Sequence, residues 1–444
     1  MPLWISVYSN SLIKLGLDWN FSLEQMRLTL KQISSTFLIL IFLLIHLACP
    51  DPPDDLTESN PYKQEHIEWP SLADSPWPTF RHDYQGTGRF EGVGPASNNY
   101  EILYEADAGY NYGSVSVGNY NNVLFSADCK LICIDVEGNL IWESDMCEHL
   151  SGNYAESYLA PIITSDSTVI IASWDQYLYC FNENTGEKLW EFKIGHKVDY
   201  TPLIGLDGSI YFSSDSGTCA LYNDGTLKWH FDDVIIPLAF SPDGNQIYGR
   251  RGIESSIIAM DLNGNVVWEN ELFRTPYFIV DNDGNIYGSN PLSKKLISLD
   301  ENGNINWNIS IIDISTESEI IGIEYVSPIL DVYGRINYIM SDSQSKSHLV
   351  RINVNGEIEQ DIKLNIREIS TSLVSDNNGS TYIYSFFGGD PKDKVIAIDK
   401  DGEILMEVIN GDYGYYGSPA FTKEGYLIFL PNWYEMPLKV RIYK

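Results

Sequence analysis

A hairpin motif that ends in tryptophan recurs along the chain and constrains its fold more than any other feature. In each copy, alternating apolar residues flank a turn that contains Asn-Gly, Asp-Gly, Glu-Gly or Thr-Gly. Glycine supplies the positive φ of a tight turn, and a period of two is typical of β-strands. The copies end at Trp142, Trp190, Trp229, Trp268 and Trp307, and two altered copies end at Gln360 and Met406. The motif therefore predicts seven β-hairpins.

A second unit alternates with these hairpins. It begins with a small residue, usually followed by proline, and continues as an apolar strand, a glycine turn and another strand, as in T-P-L-I-G-L-D-G-S-I-Y-F from Thr201. Eight copies begin near Gly113, Ala160, Thr201, Pro237, Thr275, Ser327, Ser372 and Ser418. Two hairpins per repeat make the four antiparallel strands of a propeller blade.

The two ends of the repeat array complement each other. The eighth unit, from Ser418, lacks a fourth strand, whereas the segment Y-E-I-L-Y-E-A from Tyr100 has no partner in its own neighbourhood. Pairing the two would remove the unpaired edges that an open ring presents. The predicted fold class is therefore all-β: an eight-bladed β-propeller of four-stranded antiparallel blades, closed by pairing of an N-terminal strand with the C-terminal blade.

An apolar run before the repeats predicts export. Residues 37–48 are too few to span a bilayer but suit the core of a signal peptide, and Leu47-Ala48-Cys49 resembles the lipobox of bacterial lipoproteins. Lipidation of Cys49 is predicted, although His46 departs from the lipobox pattern and ordinary cleavage or an uncleaved anchor stays open. The predicted divisions are an upstream mis-start (1–25), a signal peptide (26–48), a flexible acidic, proline-rich tether (49–75) and the propeller (76–444).

The charge balance narrows the range of partners. The chain carries 61 acidic and 28 basic residues, a formal net charge of −33. This charge repels phosphate backbones and anionic lipid headgroups, so nucleic acid is excluded as a partner and membrane contact is expected through the lipid anchor only. We expect a monomer at the periplasmic face of the outer membrane or at the cell surface.

A family resemblance follows from two sequence signatures. The segment W-P-T-F-R-H-D-Y-Q-G-T-G (residues 77–88) and the D-x-x-G-x-x-x-W repeats resemble the pyrroloquinoline-quinone (PQQ)-dehydrogenase-like propeller family, which includes the outer-membrane protein assembly lipoprotein B. The resemblance implies that the repeated tryptophans dock against the neighbouring blade. Its quinone-dependent dehydrogenases carry adjacent cysteines, a stacked tryptophan and carboxylates that hold Ca²⁺. Since no two of the six cysteines are adjacent, we expect no quinone cofactor.

Other sites of chemistry are not indicated by the sequence. The seven histidines lack a close metal-ligand spacing, and D-N-D-G-N from Asp281 lacks the EF-hand spacing, so no metal site is predicted. No hydrolase elbow or phosphate loop is present. Cys133 and Cys180 are expected to be buried strand residues, while two alternatives stay open for Cys129 and Cys147, a disulfide or two separate thiols. The chain is therefore predicted not to be an enzyme.

Repeated tyrosines suggest a binding face. When the eight proline-type units are aligned on their shared turn, five of them carry a tyrosine three residues before the same slot, one of these displaced by one residue. These tyrosines are Tyr112, Tyr158, Tyr325, Tyr416 and the displaced Tyr200. They predict an aromatic collar at one mouth of the central channel, suited to a protein or a glycan; packing between blades is the alternative. The predicted function is a non-catalytic envelope scaffold, with outer-membrane protein assembly as its specific version. The alternatives are a degenerate quinoprotein-type or unknown envelope enzyme and a purely structural surface protein.

Overall fold

The computed structural model describes most of the repeat region. The described residues are 60–106, 113–146, 159–251, 256–271, 277–313, 320–324, 326–364, 366, 369, 372–385, 394–409, 417–430 and 438–444. One compact unit spans Tyr62–Lys444. Of the other unit, Met1–Pro61, only Asn60 and Pro61 are described, and the predicted lipidation site Cys49 lies outside the described residues.

The strands are numbered in chain order and fall into eight blades. The strand before the repeats is β1 (Tyr100–Ala106). Blade 1 contains β2 (Ser116–Val117), β3 (Val123–Ala127), β4 (Lys130–Ile134) and β5 (Leu140–Asp145). Blade 2 contains β6 (Ile162–Ile163), β7 (Thr168–Ala172), β8 (Tyr177–Asn182) and β9 (Lys188–Lys193). Blade 3 contains β10 (Leu203–Ile204), β11 (Ile210–Ser214), β12 (Gly217–Leu221) and β13 (Leu227–Phe231). Blade 4 contains β14 (Ile235–Phe240), β15 (Gln246–Arg251), β16 (Ser256–Asp261) and β17 (Val266–Asn270).

The second half of the ring follows the same plan. Blade 5 contains β18 (Ile279–Val280), β19 (Ile286–Asn290), β20 (Lys295–Leu299) and β21 (Ile305–Ser310), and a short 3-10 helix (Ile311–Asp313) follows it. Blade 6 contains β22 (Ile320–Ile323), β23 (Ile329–Leu330), β24 (Ile336–Asp342), β25 (Ser347–Ile352) and β26 (Ile358–Lys363). Blade 7 contains β27 (Val374–Ser375), β28 (Thr381–Ser385), β29 (Lys394–Ile398) and β30 (Ile404–Ile409). Blade 8 contains β31 (Ala420–Phe421), β32 (Leu427–Phe429) and β33 (Leu438–Tyr443).

The predicted eight-bladed propeller and its closure are confirmed. All strand pairs named here are antiparallel, and β1 completes the last blade by pairing with β33, from Tyr100 opposite Tyr443 to Ala106 opposite Leu438. The ring is therefore closed by a strand from the other end of the repeat array, which leaves blade 8 with the four strands of its neighbours. Nothing helical in the described part of the chain is long and apolar enough to cross a membrane.

Aspartates in the repeated turns explain why the hairpins form where they do. The Asp135 carboxylate accepts hydrogen bonds from the backbone N–H groups of Glu137 (3.0 Å) and Asn139 (2.7 Å), and Gly138 takes a φ of 87°. Side-chain oxygens of this kind replace missing backbone partners in tight turns. The same arrangement recurs at Asp261, Asp300 and Asp399.

The repeated tryptophans dock each blade on the next, as the family resemblance implies. The indole N–H groups donate to backbone carbonyls in the following blade's turn: Trp142 to Glu183 (2.8 Å), Trp229 to Leu262 (3.0 Å), Trp268 to Glu301 (2.9 Å) and Trp307 to Val354 (2.8 Å). The rings also cover the turn glycines. A Cβ on Gly186 would lie 2.6 Å from the Trp142 ring, and one on Gly225 would lie 2.7 Å from the Trp190 ring. The turn glycine is thus required both for its φ and for the close approach of the indole.

Blade 6 docks on blade 7 by a polar contact instead. Gln360 stands in the tryptophan position and donates to the Lys400 carbonyl at 3.1 Å. The fully buried Arg351 donates to the carbonyls of Asp399 (2.6 Å) and Ile398 (3.3 Å). Hydrogen bonds to the next blade's turn are therefore retained where the aromatic ring is lost.

The propeller core begins earlier in the chain than the sequence predicts. Residues 62–75 were assigned to a flexible tether because they lack an apolar period, yet they belong to the compact unit. Trp69 is 7% exposed and donates its indole N–H to the Ile204 carbonyl at 2.7 Å; Leu72 and Ala73 are also buried. The segment lacks a period because it is held by isolated contacts with several blades rather than by one sheet.

Candidate binding site at the propeller axis

Residues 77–90 cross the propeller axis and are called the septum below. Their backbone pairs with the innermost strands of six blades. The hydrogen bonds join Val117 N to Trp77 O (2.8 Å), Ile163 N to Pro78 O (2.8 Å), Phe240 N to Tyr84 O (2.8 Å), Val280 N to Gln85 O (3.0 Å), Leu330 N to Thr87 O (3.1 Å) and Ser375 N to Gly88 O (2.8 Å). The innermost strands, which have two residues in each of these blades except blade 4, thus find partners for groups that a ring alone would leave unpaired. The motif that carries the family resemblance forms this septum.

The septum backbone is bent, and a buried carboxylate forms hydrogen bonds within it. Arg81 and His82 have φ values of 59° and 74°, an uncommon backbone conformation for residues with a side chain. The Asp83 carboxylate accepts hydrogen bonds from the backbone (2.9 Å) and side chain of Thr87. Burial alone would raise the pKa of Asp83, but nearby His82, the Thr87 hydrogen bond and the Arg89 charge lower that pKa to about 2. Asp83 is therefore ionised at neutral pH and engaged within the septum.

An open cavity lies on one side of the septum. Its volume is about 470 Å³. Its wall comes from the residues that open the innermost strands, including Ser114, Leu159, Pro237, Ser327 and Ser372, and its floor comes from septum residues 79–81, 83, 84 and 86. We call it the axial cavity. Because the wall residues belong to the innermost strands of different blades or directly precede them, the cavity is formed before any ligand arrives.

An arginine-tyrosine cluster forms part of the same wall. Tyr200 lines the cavity, and its hydroxyl accepts a hydrogen bond from the guanidinium of Arg250, which also lies 4.9 Å from the Tyr200 ring centroid. Tyr277 lines the cavity as well. Burial and the neighbouring Tyr200 raise the pKa of Tyr277, while the Arg250 and Arg81 charges oppose that rise. Aromatic rings and guanidinium groups thus lie close together at one side of the axial cavity.

The structure places one member of the predicted tyrosine collar. Tyr200 lies in the cavity wall, as the repeat alignment predicts for a residue at the channel mouth. Tyr112, Tyr158, Tyr325 and Tyr416 lie outside the described residues, so the collar as a whole stays a prediction. Their sequence neighbours Leu159 and Val326 line the cavity.

The most polar residues of the site were not predicted. Arg81 lies within the septum motif, which has no strand period and points only to the family resemblance. Arg250 is the next-to-last residue of β15 in blade 4, and its sequence context is that of any solvated arginine. Tyr277 follows Pro276 in a unit whose tyrosine is displaced from the aligned position. The scarcity of basic residues in a chain of net charge −33 is the one signal that would have marked the two arginines.

A second, larger cavity of about 1170 Å³ lies on the other side of the septum. It is lined by residues 66–70, by septum residues such as His82 and Gln85, and by turns that follow innermost strands, among them residues 119–121. His66 and Glu91 pair there at 2.6 Å, and the hydrogen bond that the His66 ring donates to Glu91 raises the pKa of His66. Since Asp83 and Tyr84 line both cavities, the septum separates them.

The cysteines also have defined positions. Cys133 and Cys180 are buried and lie opposite Trp142 and Trp190 in their blades, as predicted from their equivalent places in the repeat. Burial raises the pKa of each thiol to about 12. Cys147 lies outside the described residues, so its pairing with Cys129 stays a prediction.

The family model described as outer membrane protein assembly factor BamB matches residues 127–320 of this chain. The predicted family resemblance is confirmed. Among solved structures, the quinohemoprotein alcohol dehydrogenase from Comamonas testosteroni matches with a TM-score of 0.61 and 13% identity, over 84% of this chain and 81% of that chain. A europium-containing methanol dehydrogenase matches with a TM-score of 0.58 and 10% identity, over 80% and 90%.

A third match is the quinohemoprotein alcohol dehydrogenase ADHIIG from Pseudomonas putida HK5. Its TM-score is 0.61 at 12% identity, over 84% of this chain and 82% of that chain. At such identities these matches establish a shared fold and nothing about activity. No curated protein sequence matches the chain.

The residues of the axial cavity do not fit the quinone and Ca²⁺ of those dehydrogenases. Its described lining contains neither cysteine nor tryptophan, and its two carboxylates are Asp83, which Thr87 engages, and Asp199, which lies 3.3 Å from Lys197. Throughout the described ranges, no group of three or more His, Cys, Asp or Glu side chains is arranged to hold a metal ion.

Proposed function

We propose that this chain is a non-catalytic envelope scaffold that holds a segment of a protein partner in the axial cavity. The observation that carries the proposal is the shape of the axial cavity. The septum closes its floor, and its wall, which includes Tyr200 and Tyr277, is built from residues of several blades. Preformed pockets lower the ordering cost of binding, and tyrosine is favoured in interface cores.

The specific version of the proposal is a role in outer-membrane protein assembly. It is supported by the family model, whose description is an outer membrane protein assembly factor. In this proposal Cys49 carries the lipid and residues between it and the propeller connect the anchor to the folded unit. The partner is then an envelope protein rather than nucleic acid, which the net charge of −33 would repel.

Affinity capture with matched tyrosine variants tests the scaffold. The tagged protein is recovered from detergent-solubilised envelopes of the producing cells alongside Tyr200→Ala and Tyr222→Ala. Tyr222 is the control, since it belongs to the same blade, is 49% exposed and occupies the turn between β12 and β13. The proposal predicts a defined protein partner that Tyr200→Ala loses and Tyr222→Ala keeps. Equal recovery with both variants would place the partner elsewhere, and recovery of glycan alone would replace the protein partner.

A titration tests the alternative of a quinoprotein-type enzyme. The purified protein is incubated with PQQ and Ca²⁺, desalted and examined by absorbance spectroscopy. We expect no retained quinone absorbance, because the cavity lining lacks the groups described above. Stoichiometric retention of PQQ would overturn the non-catalytic proposal.

A further inference from the structure

We propose that the axial cavity recognises a carboxylate on the partner segment, through Arg81 and Ser327. This inference rests on the proposed function and adds the chemistry of its partner: a segment with an isolated Glu, Asp or C-terminal carboxylate. Both residues line the cavity, one on its floor and the other in its wall.

Two buried donors point to an acceptor that the described chain does not supply. Arg81 is 3% exposed and Ser327 is 2% exposed. Among the described residues, the Arg81 Nε and the Ser327 Oγ have no hydrogen-bond partner. The guanidinium also donates to the carbonyl of Pro328, the residue after Ser327, which keeps the two donors near each other. A buried donor without a partner lowers the stability of the fold, because its lost hydration is not replaced. An acceptor that reaches these two donors from the axial cavity would therefore gain strong hydrogen bonds.

The charge around these donors favours an anion. Asp83 is the carboxylate nearest in sequence to Arg81, and it is bound to Thr87 within the septum. Burial lowers the pKa of Arg81 to about 10, so the guanidinium keeps its charge at neutral pH. Arg250 adds a second guanidinium behind Tyr200. The other carboxylate of the lining, Asp199, lies 3.3 Å from Lys197, so both carboxylates of the axial cavity have partners and the Arg81 guanidinium is left to attract an anion.

The number of unpartnered donors and the net charge of the protein also indicate which kind of anion fits the axial cavity. Two unpartnered donors match the two oxygens of a carboxylate, whereas a phosphate presents more acceptors than the described donors would satisfy. A net charge of −33 repels polyanions at long range. The fitting partner therefore presents one carboxylate flanked by neutral or basic residues, rather than an acidic run or a phosphorylated chain.

Paired peptide libraries test this inference. The probes are Ac-Lys-X-X-Glu-X-X-Lys-amide and the same library with Gln in place of Glu, where X excludes acidic residues and cysteine. Each library is applied to the immobilised purified protein, and retained peptide is measured by mass spectrometry. We expect about tenfold greater retention of the Glu library, the ratio that one charge-assisted hydrogen bond provides.

Four variants assign the effect to the two donors. Arg81→Gln should abolish the preference for Glu, and Ser327→Ala should reduce it by about fivefold. Arg251→Gln is the matched charge control, because Arg251 follows Arg250 and pairs with Asp233 (2.7 Å) on the propeller surface. Ser375→Ala is the matched hydroxyl control, because Ser375 is buried with no described partner for its Oγ and does not line the cavity. Both controls should keep the preference.

The outcomes separate this inference from the proposed function. Thermal melting checks each variant; should Arg81→Gln fail to fold, Ser327→Ala still decides, since removing an unpartnered hydroxyl leaves stability unchanged. Equal retention of the two libraries, or displacement by inorganic phosphate without a Glu preference, would overturn the inference. A partner captured through Tyr200 but insensitive to Arg81→Gln and Ser327→Ala would leave the scaffold standing and refute carboxylate recognition.

Discussion

Asp83 shows how much of the site depends on single residues. Its carboxylate accepts hydrogen bonds from Thr87 inside the septum, so one ionised group adds to the backbone hydrogen bonds that hold the bend beside Arg81. Arg81 and His82 take positive φ values, and such strain persists only where surrounding contacts fix it. Binding at the axis is therefore expected to depend on the charge of Asp83, a lining residue whose carboxylate is engaged by Thr87.

Stability in acid should report the ionisation of Asp83. Its pKa is lowered from 3.8 to about 2 in the folded chain, so its contribution is complete above pH 4 and is lost as the pH falls towards 2. We expect wild type to lose about 1 kcal/mol relative to Asp83→Asn between pH 6 and pH 3. Denaturant unfolding across this pH range measures the difference. Asp232→Asn, at a side chain that is fully exposed, is the control, and a similar trend in both variants would contradict the prediction.

At the scale of the element, the tryptophan hairpin is the unit that the sequence encodes most completely. Gly138 gives the turn its φ, Asp135 satisfies its backbone, and Trp142 docks on the next blade. Each of these roles leaves a mark in the repeat, which is why eight blades and their closure were predictable. The docking of blade 6 through Arg351 could not be predicted. Its partners are backbone carbonyls in the next blade, and a backbone carbonyl leaves no signal in the sequence.

Replacing Trp142 should separate the packing and hydrogen-bonding parts of this docking. Trp142→Ala is expected to destabilise the propeller by about 3 kcal/mol or more, since a largely buried indole leaves a cavity. Trp142→Phe should cost about 1 kcal/mol for the lost hydrogen bond to Glu183, with a further loss from the smaller ring. Denaturant midpoints measure both, and Tyr120→Ala, at a 60% exposed side chain, should change stability by less than about 0.5 kcal/mol. Equal effects for Trp142→Ala and Tyr120→Ala would refute the docking role.

At the scale of the whole molecule, two N-terminal segments complete what the repeats begin. Strand β1 closes the ring, and the septum closes the channel. The sequence predicted the first because Tyr100–Ala106 has a strand pattern and the last blade lacked a strand. It did not predict the second, because residues 77–90 satisfy isolated groups on several blades and so have no period. The candidate site was only partly predictable for the same reason: Tyr200 belongs to a repeat, whereas Arg81 does not.

Breaking the β1–β33 pairing should open the ring. The double variant Tyr104→Pro/Glu105→Pro removes two consecutive backbone N–H groups, at positions opposite Val440 and Lys439 of β33. Since alternate N–H groups of a strand point towards a given neighbour, one of the two is directed at β33. We expect a loss of about 3 kcal/mol or more, and association through the exposed strand edge. Thermal melting and size-exclusion chromatography measure these effects. The matched variant Tyr104→Ala/Glu105→Ala keeps the N–H groups and should elute as the wild type does; association of both variants alike would contradict the prediction.

Site-specific photo-crosslinking tests the central claim, that a protein segment enters the axial cavity. A photoreactive phenylalanine analogue replaces Tyr200 in one sample and Tyr222 in another, and both proteins are irradiated in intact envelopes of the producing cells. Tyr200 lines the cavity, whereas Tyr222 lies 49% exposed in an outer turn of the same blade. We predict a discrete protein adduct from position 200 and none from position 222. Adducts from position 222 alone would contradict the claim and place the binding surface on the outer turns of the propeller.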